Sequence, residues 1–288
     1  MATPRALLPA VQIDAHQHYW DPARGDYGWL MPSLTALYRP FGPADLAPLR
    51  ASTGVARTVV VQAAQTVEET RYLLKLANRD ASIAGVVGWV PLDDPSAPTL
   101  IAELAREPKF KGVRPMLQDL PDDDWIATAP TARAIDALIV HGLAFDALIF
   151  TRHAAALETF VKRHPALRIV IDHGAKPPIR DGNAGWTAWA TAIARLAHFP
   201  QVCCKLSGLA TESAPGWRDA TLRAWVDHLL ASFGAHRLLW GSDWPVLNLN
   251  GDYEAWHACA HRLLAGLSDI ERAAVFGANA IAFYRLST

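Results

Sequence analysis

Short apolar runs rich in Val, Ile and Leu recur along this chain, and most are followed by a longer stretch with helical periodicity. That alternation constrains the fold more than any other feature. A strand buried on both faces reads as continuous hydrophobics, and pairing such strands in parallel requires a crossover long enough for a helix. The runs fall at residues 12–16, 58–63, 85–90, 112–115, 144–149, 168–172, 202–207 and 238–242. Helical patterns fall at 67–78, 98–106, 131–141, 152–163, 186–198, 219–233, 252–267 and 269–284. Thr66 stands before Glu68 and Glu69, and Ser268 before Asp269 and Glu271, supplying a hydroxyl cap and early acids to two of these helices. The pattern predicts an α/β protein, a single-domain (β/α)8 TIM barrel over 1–288, with 1–11 as an N-terminal extension. In such a barrel the chemistry sits where strands end and the following loops begin.

Composition narrows the partners. With 51% hydrophobic and 19% charged residues, most of the chain is able to bury a core. Its 27 basic and 28 acidic residues nearly cancel, so no global field exists to hold nucleic acid or an anionic membrane. Cys203, Cys204 and Cys259 are an odd set without metal-ligand spacing, which fits a reducing compartment. The stretch from Met1 to Val11 lacks a basic-then-apolar secretory design, and no apolar run approaches the roughly 18 residues that span a bilayer. A cytoplasmic protein is expected. Residues 19–44 form one long irregular segment with Trp20, Tyr27, Trp29 and Tyr38, whose aromatic content predicts a packed loop walling a pocket.

Three strand ends carry chemistry. The first run ends in His16-Gln17-His18, where positions i and i+2 of extended chain face one side, so both imidazoles can bind a borderline metal or a substrate. The sixth ends in Asp172-His173-Gly174, and the eighth in Gly241-Ser242-Asp243-Trp244-Pro245. A carboxylate at the tip of the last strand can reach imidazoles of the first and remove a proton from water. The bland alternative makes Asp243 a turn cap and His173 a partner of loop carbonyls. Arg114 and Lys205 each interrupt an apolar strand, so each needs either a carboxylate partner or a substrate oxygen. Gln62 is a polar wall candidate, and Trp20, Trp29 and Trp244 offer aromatic faces to a sugar ring, though aromatics more often serve as core. There is no Gly-rich phosphate loop and no G-x-S-x-G elbow, which sets nucleotide-dependent and serine-hydrolase chemistry aside.

Taken together, residues 13–20, 26–30 and 171–173, the Gly241-Ser242-Asp243-Trp244-Pro245 motif and the ending Phe276-Gly277-Ala278-Asn279-Ala280 resemble the amidohydrolase superfamily nearly end to end. The joint motifs are similar to its amidohydrolase-2 branch, which contains sugar lactonases such as L-fuconolactonase and L-rhamnonolactonase. The resemblance implies a distorted (β/α)8 barrel that opens a cyclic ester. His16, His18, His173 and Asp243 are then the catalytic set, and Arg114 is a substrate contact. It also implies one divalent metal, zinc, on His16, His18 and Asp243. Metal-dependent relatives usually add a His, Lys or Glu ligand on strand four or five, which Arg114 and residues 144–148 do not supply, so metal-free hydrolysis stands beside the zinc reading. The substrate expected is a small sugar lactone attacked by water activated at Asp243. Rival readings are a metal-dependent decarboxylase of an aromatic acid and a catalytically silent ligand-binding barrel.

Overall fold

The computed structural model describes residues 11–287. Eight strands form one parallel sheet in sequential order: β1 Gln12–Gln17, β2 Val55–Val61, β3 Ile83–Gly88, β4 Phe110–Val113, β5 Ala144–Ala147, β6 Arg168–Ile171, β7 Val202–Leu206 and β8 Leu238–Trp240. All eight expected strands are present, with shifted ends. β2 begins at Val55 because Arg57, polar in an otherwise apolar run, snorkels off the sheet and donates to the Ala81 carbonyl at 3.2 Å. β6 and β8 stop short of their polar tips, which leave the ladder and turn into the site, and β5 ends at Ala147, before Leu148 and Ile149.

Alternate positions divide the core into two layers. Val59, Val61, Val170 and Leu239 belong to an inner cluster that Phe283, Tyr284 and Leu286 of the C-terminal segment join. Val60, Val86, Phe145 and Ile169 pack outward against the helices. This is the two-sided burial that parallel strands require. Two predicted caps form: Thr66 accepts the Glu69 N–H at 3.1 Å, and Ser268 and Glu271 complete a capping box.

Two helical expectations are revised. A helix at Pro43–Thr53 joins β1 to β2, where only irregular chain is legible in the sequence. Of its residues Leu46 alone is buried, so no apolar stripe announces it, and its start rests on Pro43 and the Asp45 carboxylate accepting the Gly42 N–H at 2.9 Å. The stretch 269–284 is broken by a π-helical turn at Ala274–Ala278. There the carbonyl of Val11 comes so close to Gly277 that a Cβ would collide with it.

The ring closes between β8 and β1 without a regular ladder. Asp243 N–H donates to the His16 carbonyl at 2.8 Å and His18 N–H to the Trp244 carbonyl at 2.7 Å. The buried Asp14 carboxylate accepts from the Ser242 N–H at 2.9 Å, the Ser242 hydroxyl at 2.6 Å and the Tyr253 hydroxyl at 3.2 Å. Burial pushes its pKa up to about 6 against those donors. Two backbone hydrogen bonds and one buried carboxylate thus do here what a regular ladder does elsewhere in the sheet.

Candidate active site

The strand-end residues meet at this seam. At the end of β1, His16 and His18 stand two residues apart and face one side, and Asp243, held at φ 59°, brings its carboxylate to them. His16 Nε2 and His18 Nε2 lie 3.2 Å apart. Asp243 Oδ1 is 3.3 Å from His18 Nε2, 3.7 Å from His173 Nε2 and 3.8 Å from His16 Nε2. All four groups are buried. Burial lowers the pKa of each imidazole, that of His173 to about 4, so the rings are neutral at pH 7. Burial acts the other way on Asp243, but contacts with His173, His18 and His16 outweigh it and keep the carboxyl ionised, well below the usual carboxylate range. One anionic base therefore stands among three neutral rings.

Beneath them lies a buried charge layer. Lys205 Nζ is 2.6 Å from Asp146 Oδ2, 2.9 Å from Asp172 Oδ1 and 3.0 Å from His16 Nδ1. Asp172 also lies 3.3 Å from His16 Nδ1 and 3.7 Å from Arg114 Nη1. Flanked by these groups, Asp172 overcomes the cost of burial and stays well below its ordinary pKa, whereas burial carries Asp146 up to about 6. Tyr284 donates to the Asp146 carboxylate at 2.7 Å. The layer orients His16 from behind.

Above them opens a cavity of about 200 Å³, sized for a single small ring. Its polar wall includes His18, Arg114, His173 and Asp243, and its apolar wall Trp20, Trp29, Met116 and Leu148. Trp20 is fixed by the paired backbone of Trp20 and Phe41, and Trp29 donates to the Ala63 carbonyl at 2.7 Å, so the 19–44 segment does wall the pocket. Arg114 donates to the Gln62 carbonyl while its buried Nε has no protein partner. Three expected contact residues stand elsewhere. Lys205 is fully buried because two carboxylates claim its charge; Gln62 donates to the Arg114 carbonyl at 2.9 Å behind the wall; Trp244 packs edge-on against Phe41 and Tyr19. None of the three lines the cavity. Met116, Gln118, Asp119 and Lys176 do line it without having been anticipated, since they lie on turns beyond the strand ends where no periodicity marks them.

The donor set fits a metal ion. His16, His18 and Asp243 offer ligand atoms all within 4.8 Å of one another, and His16, Asp172 and His173 form a second such group. Ligand nitrogens about 2.1 Å from one ion stand about 3.0–3.4 Å apart, which the His16–His18 separation matches. His18 Nδ1 donates to the Val61 carbonyl at 2.8 Å, leaving the Nε2 lone pair facing inward, the arrangement that orients a metal-binding imidazole. Gly241 guards this geometry: a Cβ there would lie 2.8 Å from His16 Cβ and 3.0 Å from its backbone nitrogen. Gly241→Ala must displace His16, so turnover is expected to fall at least about tenfold with the protein still folded by circular dichroism. Full activity would show that the position of His16 is not critical.

The sequence profile of the amidohydrolase family (Amidohydro_2) matches residues 13–286. The chain belongs to that family. Among amidohydrolases it is 53% identical to an L-fucono-1,5-lactonase of Burkholderia ambifaria over 96% of each chain. It is 37% identical to an L-fucono-1,5-lactonase of Burkholderia multivorans over 97% of each. A crystal structure of an amidohydrolase from Burkholderia multivorans with bound zinc superposes with a TM-score of 0.91 at 36% identity, covering 96% of this chain and all of that one. The eight-stranded parallel barrel is therefore the family architecture.

Proposed function

We propose that this amidohydrolase hydrolyses the cyclic ester of a sugar-derived lactone of the L-fucono-1,5-lactone kind. The 53% identity to a lactonase across nearly the whole of both chains carries the reading, and the site chemistry agrees with it. Asp243 takes a proton from water, and the hydroxide attacks the ring carbonyl. His173 Nδ1 lies 2.9 Å from the Ser207 hydroxyl; in the tautomer in which Ser207 donates to Nδ1, the ring carries its proton on Nε2 and donates it to the developing oxyanion. Arg114 offers its free Nε–H to a substrate oxygen. The acyl C–O bond breaks, Asp243 returns its proton to the leaving ring oxygen, and the product is an aldonic acid. A lactone is reactive enough for this apparatus. Decarboxylation and silent binding draw no support from the two lactonase relatives.

His16, His18 and Asp243 are the residues that would hold a zinc ion, which when bound supplies Lewis-acid polarisation of the carbonyl and a more acidic water. We further place the protein in the cytoplasm, acting on a small molecule and not on nucleic acid or membrane. Its three thiols are free, and among the described residues no helix is long and apolar enough to cross a membrane.

Five- and six-membered aldonolactones mixed with the purified protein are expected to release acid, read with a pH indicator. A protein that releases none from any of them sinks the proposal. Elemental analysis is expected to find about one zinc per chain, lost in His18→Ala; equal zinc in that variant would remove His18 from the ligand set.

A further inference from the structure

A turn of unusual hand follows β6. His173, Gly174, Ala175 and Lys176 have φ of 53°, 58°, 60° and 48° in succession. Residues with a side chain enter this left-handed region at a cost, and three of them within four positions persist only where the surroundings enforce them. The surroundings do so: Trp189 Nε1 donates to the Gly174 carbonyl at 2.7 Å, and the Lys176 N–H closes the turn on the His173 carbonyl at 2.9 Å. Residues three apart in such a turn project to the same side, as they do in its right-handed mirror image. The consequence is that His173 and Lys176 both line the cavity.

The ammonium so delivered is only loosely held. Lys176 Nζ is 3.9 Å from Glu212 Oε1 and 5.2 Å from the centre of the Phe150 ring, and no described residue accepts a hydrogen bond from it. Lys205, by contrast, has three partners within 3.0 Å. A weak, partly solvated ion pair does not account for three strained residues. A cation on the wall of a sugar-sized cavity, with no hydrogen-bond acceptor among the described residues, does.

We propose that Lys176 is a substrate-binding residue, projected by the left-handed turn so that its ammonium donates to a hydroxyl oxygen of the lactone ring while His173 faces the carbonyl. The proposal rests on the lactonase reading and adds a residue to it. Glycine separates function from fold here, because Lys176→Gly removes the ammonium and at the same time relieves the left-handed strain.

Wild type, Lys176→Gly, Lys176→Met and Lys176→Arg are compared on one aldonolactone, with KM, kcat and Tm measured for each. Lys176→Gly and Lys176→Met are expected to raise KM about tenfold or more with kcat changed less. Lys176→Gly should hold or raise Tm by about 2 °C, and Lys176→Arg should recover part of the lost binding. Unchanged KM in both neutral variants of an active enzyme overturns the proposal, as does a loss of binding that only follows a fall in Tm. An inert wild type instead sinks the lactonase reading, and this assignment with it.

Discussion

Asp243→Asn is expected to lower kcat/KM for an aldonolactone by about 10²–10⁴-fold while leaving Tm nearly unchanged. The amide keeps the shape of the carboxylate, and the backbone of residue 243 still closes the seam through its N–H to the His16 carbonyl. What disappears is the one ionised acceptor facing three neutral imidazoles. Asp172, the other carboxylate in contact with the imidazoles, is claimed by Lys205, His16 and Arg114. Proton release under saturating and limiting lactone separates loss of chemistry from loss of binding. Turnover within a few-fold of wild type would remove Asp243 from the mechanism.

Lys205→Met is expected to cost about 3–5 kcal/mol of stability, or a Tm lower by about 10 °C. Lys205 and its partners Asp146 and Asp172 are wholly buried. Removing the cation leaves two acids in the barrel interior with only one hydroxyl, that of Tyr284, donating to Asp146. Their repulsion and desolvation are then otherwise offset only by Arg114, 3.7 Å from Asp172, and by the His16 ring. Adding Asp146→Asn removes one of the two acids, so the double variant should recover part of the loss in thermal unfolding. A single variant as stable as wild type would mean that the charge layer is not a structural unit, and that Lys205 has a function outside it.

Of the fold, the eight strands and most of the helices were legible, because burial on two faces forces an unbroken apolar run and helices that cover a sheet need an apolar stripe. The helix at Pro43–Thr53 was not, since it buries one leucine and leaves no period to read. Of the site, His16, His18, His173 and Asp243 were legible for a related reason. A polar group at the tip of an otherwise apolar strand is expensive unless it is used.

Whether a residue at a strand end reaches solvent or faces inward depended on register and on neighbours far away in sequence. Arg114 and Lys205 look alike as interruptions of apolar strands, yet one lines the cavity with a buried Nε that no protein group accepts from, and the other is consumed by Asp146 and Asp172. Sequence alone therefore determined which chemistry is available and on which strands it rides. Tertiary structure decided which groups are spent on one another, and it brought in Lys176 through a left-handed turn, because backbone strain is imposed by the packing around a segment and leaves no mark in the order of its residues.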